Sequence, residues 1–277
     1  MINLLDVSGF IYRSFFAMPR LAHGDREVAA LYGFCAAMTR ITAMFPNSMF
    51  IAALDSGRKT FRSEIYPEYK ANRKSMPDEL VAQIPLIKEA CGRFGFLCIE
   101  KPGVEADDII ATCVRKIEDR KVNIISSDKD LMQLLGGNVS IYDPMKHKYV
   151  TPDDVMEKFG VSPEKVLDVL ALMGDTSDNV PGIPGVGVKT AAELINKFGS
   201  LDGLVANIES LPKSHKNTRI KTEIDKAILS RKLVQLRDDL DLELSYAVSK
   251  PKDLESFLLR FDFKSLVKKN SIALLKE

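Results

Sequence analysis

Short, nearly unbroken apolar runs alternate with longer segments of helical periodicity over the first half of the chain. INLL, MFIAAL and NIIS are too short for helices and have the continuous apolar character of strands buried on both faces. Strands are expected near 2–6, 48–54, 95–99, 122–126 and 139–142. Helical patterns fall near 27–45, 77–94, 105–119 and 129–135. Such alternation argues for an α/β fold around a mostly parallel central sheet. After about residue 150 the strand signals stop, and helices are expected near 152–158, 163–173, 188–198, 216–236, 253–260 and 264–275. The chain therefore divides into an α/β core, 1–150, and a helical region, 151–277. The stretch 57–76 is rich in Arg, Lys and Tyr and carries Pro67. It fits neither period and reads as a mobile loop or arch.

Three of the apolar runs end directly on acids. Asp6 follows INLL, Asp55 follows MFIAAL, and Asp128 and Asp130 lie in the SSDKD that follows NII. Two more stations are GVEADD, with Glu105, Asp107 and Asp108, and MGDTSDNVPG, with Asp175 and Asp178. Open α/β sheets bind ligands beyond the carboxyl ends of their strands. Gathering carboxylates there is unfavourable, since one like-charged pair at 4 Å repels by about 4 kcal/mol near a protein surface. Acids in a first helical turn are often simple caps, but capping explains one or two of these residues, not five stations. Oxygen-only ligands in this number point to hard divalent ions such as Mg²⁺ or Mn²⁺.

A net charge of +1 hides an uneven distribution. Residues 58–74 carry a net +4, including Arg58 and Arg62, and residues 213–232 carry a net +5. Basic arms around an acidic centre suit a polyanion held by its phosphates. The hairpin GIPGVG, with Gly182, Gly185 and Gly187, leads into a helix that opens on Val188, Lys189 and Thr190. Glycines admit close backbone approach, and free N–H groups at a helix start bind phosphate. Lys189 in a first turn opposes the helix dipole unless an anion sits there. The carbonyls of such a hairpin can also hold a monovalent cation such as K⁺. The four cysteines lie in apolar surroundings without a CxxC pair and read as reduced core thiols. No apolar run approaches the length of a transmembrane helix.

The order LLDVSG…YRSFFA, ALDSGRKTFR…YKANRK, GVEADD, SSDKDLMQL, GDTSDNVPGIPGVGVKTA resembles the 5′-nuclease family over nearly the whole chain. It is most similar to the 5′→3′ exonuclease domain of bacterial DNA polymerase I, with stand-alone and phage flap endonucleases as relatives. The resemblance implies a PIN-like core and a helix–three-turn–helix element near 175–198. It implies one metal site from Asp6, Asp55, Glu105, Asp107 and Asp108, and a second from Asp128, Asp130, Asp175 and Asp178. Tyr69, Lys70 and Arg73 match the arch motif that meets the scissile phosphate and the 5′ strand, and Arg13 matches a basic residue near the substrate junction. Lys70, Arg73, Asp128 and Asp175 would be catalytic. The one mild departure is Val7, where polymerase-linked members often carry Gly.

The expected function is structure-specific 5′→3′ exonuclease and 5′-flap endonuclease action with two divalent ions. The expected substrates are flapped, nicked or branched DNA and the RNA primers of Okazaki fragments. A monomeric, cytoplasmic bacterial protein associated with the nucleoid fits this role. Two other readings stand beside it. A catalytically silent DNA-structure-binding module would have lost acids from the second metal site. A PIN-like ribonuclease would not need the long helical half or the Gly-rich hairpin.

Overall fold

The computed structural model describes residues 1–57, 59–245 and 250–274. The chain opens with β1 (Ile2–Asp6) and α1 (Val7–Ala17), followed by a two-stranded ribbon, β2 (Ala22–His23) and β3 (Arg26–Glu27). Next come α2 (Ala29–Met44), β4 (Met49–Leu54), α3 (Phe61–Ile65), α4 (Asp78–Val81), α5 (Ile84–Arg93) and β5 (Leu97–Glu100). The core continues with α6 (Ala106–Lys116), β6 (Val122–Ile125), a 3₁₀ turn (Asp130–Leu134), β7 (Val139–Asp143) and β8 (Lys148–Val150). Helices α7 (Pro152–Phe159), α8 (Val166–Met173), α9 (Val188–Phe198), α10 (Leu201–Ala206), α11 (His215–Thr222) and α12 (Ile224–Val234) follow. The last are α13 (Leu254–Arg260) and α14 (Lys264–Leu274).

The six-stranded sheet runs in the order β5-β4-β1-β6-β7-β8 and is parallel except for the β7–β8 edge pair. Side chains alternate between its faces. Ile2, Leu4, Met49, Ile51, Val122 and Ile124 face one apolar layer, which continues into α6, α8, α9 and α12. Leu5, Phe50, Ala52, Leu54 and Ile125 face the other, built on α1, α2 and α5 and closed by α13 and α14. Burial on both faces is why the central strands read as continuous apolar runs. Asp6 and Asp55 share the parity of the residues facing α6, whose first turn carries Asp107 and Asp108.

Several expectations need adjustment. Helix 77–94 is two pieces: Pro85 lacks an amide for the ladder, and the buried Gln83 side chain accepts from the Leu31 amide at 3.0 Å. Helix 216–236 breaks at Glu223, and 129–135 is a 3₁₀ turn. Helices α1 and α10, the short β2–β3 ribbon and β8 were not anticipated. Segment 57–76 is partly a packed wall rather than a free arch: it contains α3, the buried Arg62 and the buried Tyr69. Cys98 is exposed, unlike the other three cysteines. Among the described residues no helix is long and apolar enough to cross a membrane.

Candidate active site

All five acidic stations come together at the carboxyl edge of the sheet. Asp6 ends β1 and caps α1, accepting from the Gly9 amide at 3.2 Å and the Ser126 hydroxyl at 2.8 Å. Asp55 follows β4 and accepts from the Ala106 amide at 2.8 Å, so it holds the start of α6. Glu105 is the N-cap of α6, and its own amide donates to Asp108 at 3.2 Å. Asp128 follows β6 and accepts from the Asp130 amide at 2.9 Å. Asp175 and Val180 close a tight turn through paired backbone bonds of 3.0 and 2.7 Å. That turn is tied to the segment expected to be an arch: the Lys70 amide donates to the Asp178 carbonyl at 2.9 Å, Asn72 to the Thr176 carbonyl at 2.7 Å, and Asn179 to the Glu68 carbonyl at 2.7 Å.

The acids divide by whether the protein supplies a cation. Lys70 Nζ donates to Glu105 at 2.8 Å and lies 3.5 Å from Asp178, which Arg73 also pairs. Lys129 pairs with Asp130 at 3.1 Å and with Asp175. Arg62 donates to both Asp108 carboxylate oxygens at 2.7 Å, and to the carbonyls of Leu233 at 2.7 Å and Gln235 at 3.1 Å. Asp6, Asp55, Asp107 and Asp128 instead face one another: the charges of Asp128 and Asp55 push up Asp6, and those of Asp128, Asp6 and Asp55 push up Asp107.

Three assignments change as a result. Asp108 is fully buried and its oxygens are taken by Arg62, the Glu105 amide and the Arg237 amide, so it is not a free metal ligand. Arg62, 1% exposed, cannot reach DNA and is a structural partner of Asp108. Tyr69 also faces inward, donating to Glu105 at 3.1 Å, so it is not positioned to meet a strand as it stands.

Electrostatics mark the quartet as cation-deficient. Burial, reinforced by the neighbouring acids, raises Asp6 to about 6 and Asp107 well above the usual carboxylate range. Burial and the Asp128 charge raise Asp130 to about 6, despite Lys129. Asp175 sits low: burial opposes ionisation, but the bonds from Lys129 and Ser177 prevail. Among the described residues, no group of three or more His, Cys, Asp or Glu side chains is arranged to hold a metal as it stands. The donor chemistry nonetheless fits hard cations, because mutually repelling carboxylates gathered around the buried Asp6 have no protein cation paired with them among the described residues.

This arrangement has a pH consequence. In the folded, ion-free chain Asp6 and Asp130 keep their protons to about pH 6, but in the unfolded chain only to about 4. Folding therefore takes up protons in that window, and the stability contributed by these groups falls as pH rises through it. A divalent ion must expel the same protons to bind. The gain in Tm from Mn²⁺ over EDTA is expected to be larger at pH 7 than at pH 5. Equal gains at both pH values would contradict the ligand assignment.

The Gly-rich hairpin has two different halves. Gly182 is buried, with φ +54°, and a Cβ there would lie 2.4 Å from the Gly174 amide nitrogen. It packs backbone against backbone and does not face DNA. Pro184 and Gly185 (φ +82°) form the centre of an exposed turn closed by the Val186 amide on the Ile183 carbonyl, the geometry that requires Gly at its third position. Gly187 starts α9 without any side-chain cap, leaving amides of the first turn open beside exposed Lys189 and half-buried Thr190. Arg219 of α11 lies at this turn, 3.2 Å from where a Gly185 Cβ would stand. Arg13 lines a cleft of about 220 Å³ that shares Asp6 and Asp128 with the acid cluster and is completed by Phe10 and Ser126. Arg58 lies outside the described residues.

Sequence reasoning passed over Lys129 and Ser126, and saw Arg219 only as one of the basic residues of 213–232. A cation between two acids in SSDKD was the available signal for Lys129. Nothing local marked Ser126 or the place of Arg219 at the Gly185 turn.

An acidic edge on a parallel sheet, joined to a Gly-hairpin helix pair, is a nuclease-type arrangement, and comparison with known proteins specifies it. Residues 1–160 match the model of the 5′-3′ exonuclease N-terminal resolvase-like domain, and 161–256 match the 5′-3′ exonuclease C-terminal SAM fold. A 5′-3′ exonuclease of Aquifex aeolicus is 40% identical over 96% of this chain and 94% of its own length. DNA polymerase I of Rhizobium leguminosarum is 43% identical over 96% of this chain, which spans only 28% of that protein. The fold also matches zinc-bound T5 5′-exonuclease, with a TM-score of 0.69 at 22% identity over 99% of this chain and 98% of that one. The chain belongs to the 5′-3′ exonuclease family.

Proposed function

We propose that this chain is a structure-specific 5′→3′ exonuclease and 5′-flap endonuclease acting on flapped, nicked or branched DNA and on RNA primers. The observation that carries this reading is the cation-deficient carboxylate quartet, built on the buried Asp6 and set beside a cation-paired one at the sheet's carboxyl edge. Two divalent ions, Mg²⁺ or Mn²⁺, would there activate a water and neutralise charge on the attacking and leaving oxygens. Asp6, Asp55, Asp107 and Asp128 would hold one ion. Glu105, Asp130, Asp175 and Asp178 would supply the remainder of the ligand set. Asp108 orients Glu105 through its N-cap amide. The exposed turn at Gly185, the open α9 amides, Lys189 and Arg219 would grip duplex phosphates away from the cut, as a helix–three-turn–helix clamp whose carbonyls can seat K⁺.

Lys70 and Arg73 would turn from their carboxylate partners to the scissile phosphate once ions replace them as counter-charge. Lys70→Ala is expected to slow single-turnover cleavage by roughly 10²–10³-fold, the magnitude for one preorganised group at a developing charge. Lys70→Arg should recover part of that rate, since charge survives while geometry changes. Cleavage by the Ala variant at the wild-type single-turnover rate would remove Lys70 from the chemistry.

The reading as a whole is tested by product length on a 5′-flap, single-stranded RNA and intact duplex, with and without divalent ions. Ion-dependent release of the flap supports it. Binding without cleavage would favour the silent module, and cleavage of single-stranded RNA alone would favour the ribonuclease.

A further inference from the structure

Among the described residues, Lys129 is the one cation lodged between acids of two different stations that the mechanism above does not use. It precedes the 3₁₀ turn Asp130–Leu134, where the dipole disfavours a cation. Its ammonium nevertheless bridges Asp130, at 3.1 Å, and Asp175, which lies on the far turn after α8. Both acids are shielded, Asp175 being 7% exposed. The seat thus joins two carboxylates that would otherwise repel.

We propose that Lys129 is the resident counter-ion of the Asp130–Asp175 end of the site, and that a divalent ion enters there only by displacing it. This rests on the metal-dependent reading above. Magnesium needs carboxylate oxygens at about 2.0–2.1 Å in near-octahedral order. An ammonium already hydrogen-bonded between the same two carboxylates occupies that volume, so one oxygen pair cannot serve both. Asp6, Asp55, Asp107 and Asp128 have no such occupant. The two ends therefore load unequally: the first ion meets open carboxylates, and the second exchanges with a tethered amine. Between turnovers the ammonium keeps the ion-free acids from repelling the turn at Asp175 away from the sheet.

Mn²⁺ binding to the DNA-free chain, followed by electron paramagnetic resonance of the free ion, tests this directly. Wild type is expected to bind one ion tightly and a second more weakly. Lys129→Met should tighten the second by roughly tenfold or more, the equivalent of removing about one competing ion pair, and leave the first nearly unchanged. Lys129→Arg should stay near wild type. Lys158→Met is the field control: exposed Lys158 feels the charges of Asp128 and Asp130 from outside the seat. It should shift both affinities by less than about twofold, as expected for an exposed, screened charge. In EDTA, Lys129→Met should melt lower than wild type, and it should gain more from Mn²⁺. If Lys129→Met binds the second ion no more tightly than wild type, Lys129 is not the occupant. If Lys158→Met tightens binding as much, the effect is one of general charge and the inference is wrong. If wild type binds no Mn²⁺ at all, the metal-dependent reading falls, and this inference with it.

Discussion

Asp128→Ala is expected to reduce flap cleavage by at least roughly 10²–10³-fold, the scale of losing one preorganised electrostatic group, while DNA binding persists. Asp128 is exposed at the end of β6 and repels Asp6, Asp107 and Asp130, so it stands between the two halves of the acid cluster. Its one structural duty is to accept the Asp130 amide. Asp128→Asn keeps that bond and loses only the charge, and should be nearly as inactive. Binding to flap DNA in EDTA should hold or tighten, because a repelling carboxylate is gone and the hairpin and basic residues are intact. Cleavage by either variant within about tenfold of wild type, a barrier change of about 1.4 kcal/mol, would end the assignment.

The largest stability effect is expected at Arg62. Arg62→Ala leaves Asp108 as an uncompensated buried charge and strips donors from the Leu233 and Gln235 carbonyls. Breaking such a pair from one side costs about 3–5 kcal/mol, readable as a shifted urea midpoint. Burial opposes the guanidinium's charge, but Asp108 and Glu105 outweigh it and hold the group firmly protonated. Arg62→Lys keeps a charge without the two-pronged geometry, so it should recover only part of the loss. A near-wild-type midpoint for Arg62→Ala would show that α3, α6 and the α12 end do not depend on this contact.

The same residue shows where sequence stops being legible. Arg62 was visible as part of a +4 segment, and its charge suggested phosphate. Its partners lie 46 and 171 residues away, and nothing local announces them. The acids were legible because each ends an apolar run or opens a helix, which fixes its place at the sheet edge. Their division into bare and cation-paired groups was not legible, since it depends on which lysine folds back over which turn. Strands β1, β4 and β6 stood out because burial on both faces makes them continuously apolar. Helix α1 was hidden by the aromatic run YRSFFA: its buried stripe is only Val7, Phe10 and Ile11, and the apolar Phe16 beyond it is 71% exposed. Strand β8, three residues long, offers no period to detect. Gly182 and Gly185 look alike in GIPGVG, yet one fits a backbone crossing and the other forms a turn.

The contacts of Arg62 with Leu233 and Gln235 also set an order of events during synthesis. Asp6 leaves the ribosome early, but its Ser126 partner comes 120 residues later, and the carbonyls that lock Arg62 later still. At about 5–20 residues per second, the chain spends roughly three to ten seconds between the last acid, Asp178, and the last Arg62 partner, Gln235, with its acids made and their setting incomplete. A nascent or truncated chain ending before residue 233 therefore has the ligands but not the framework that aims them. Chains truncated before residue 233 are therefore expected to cut nucleic acid poorly.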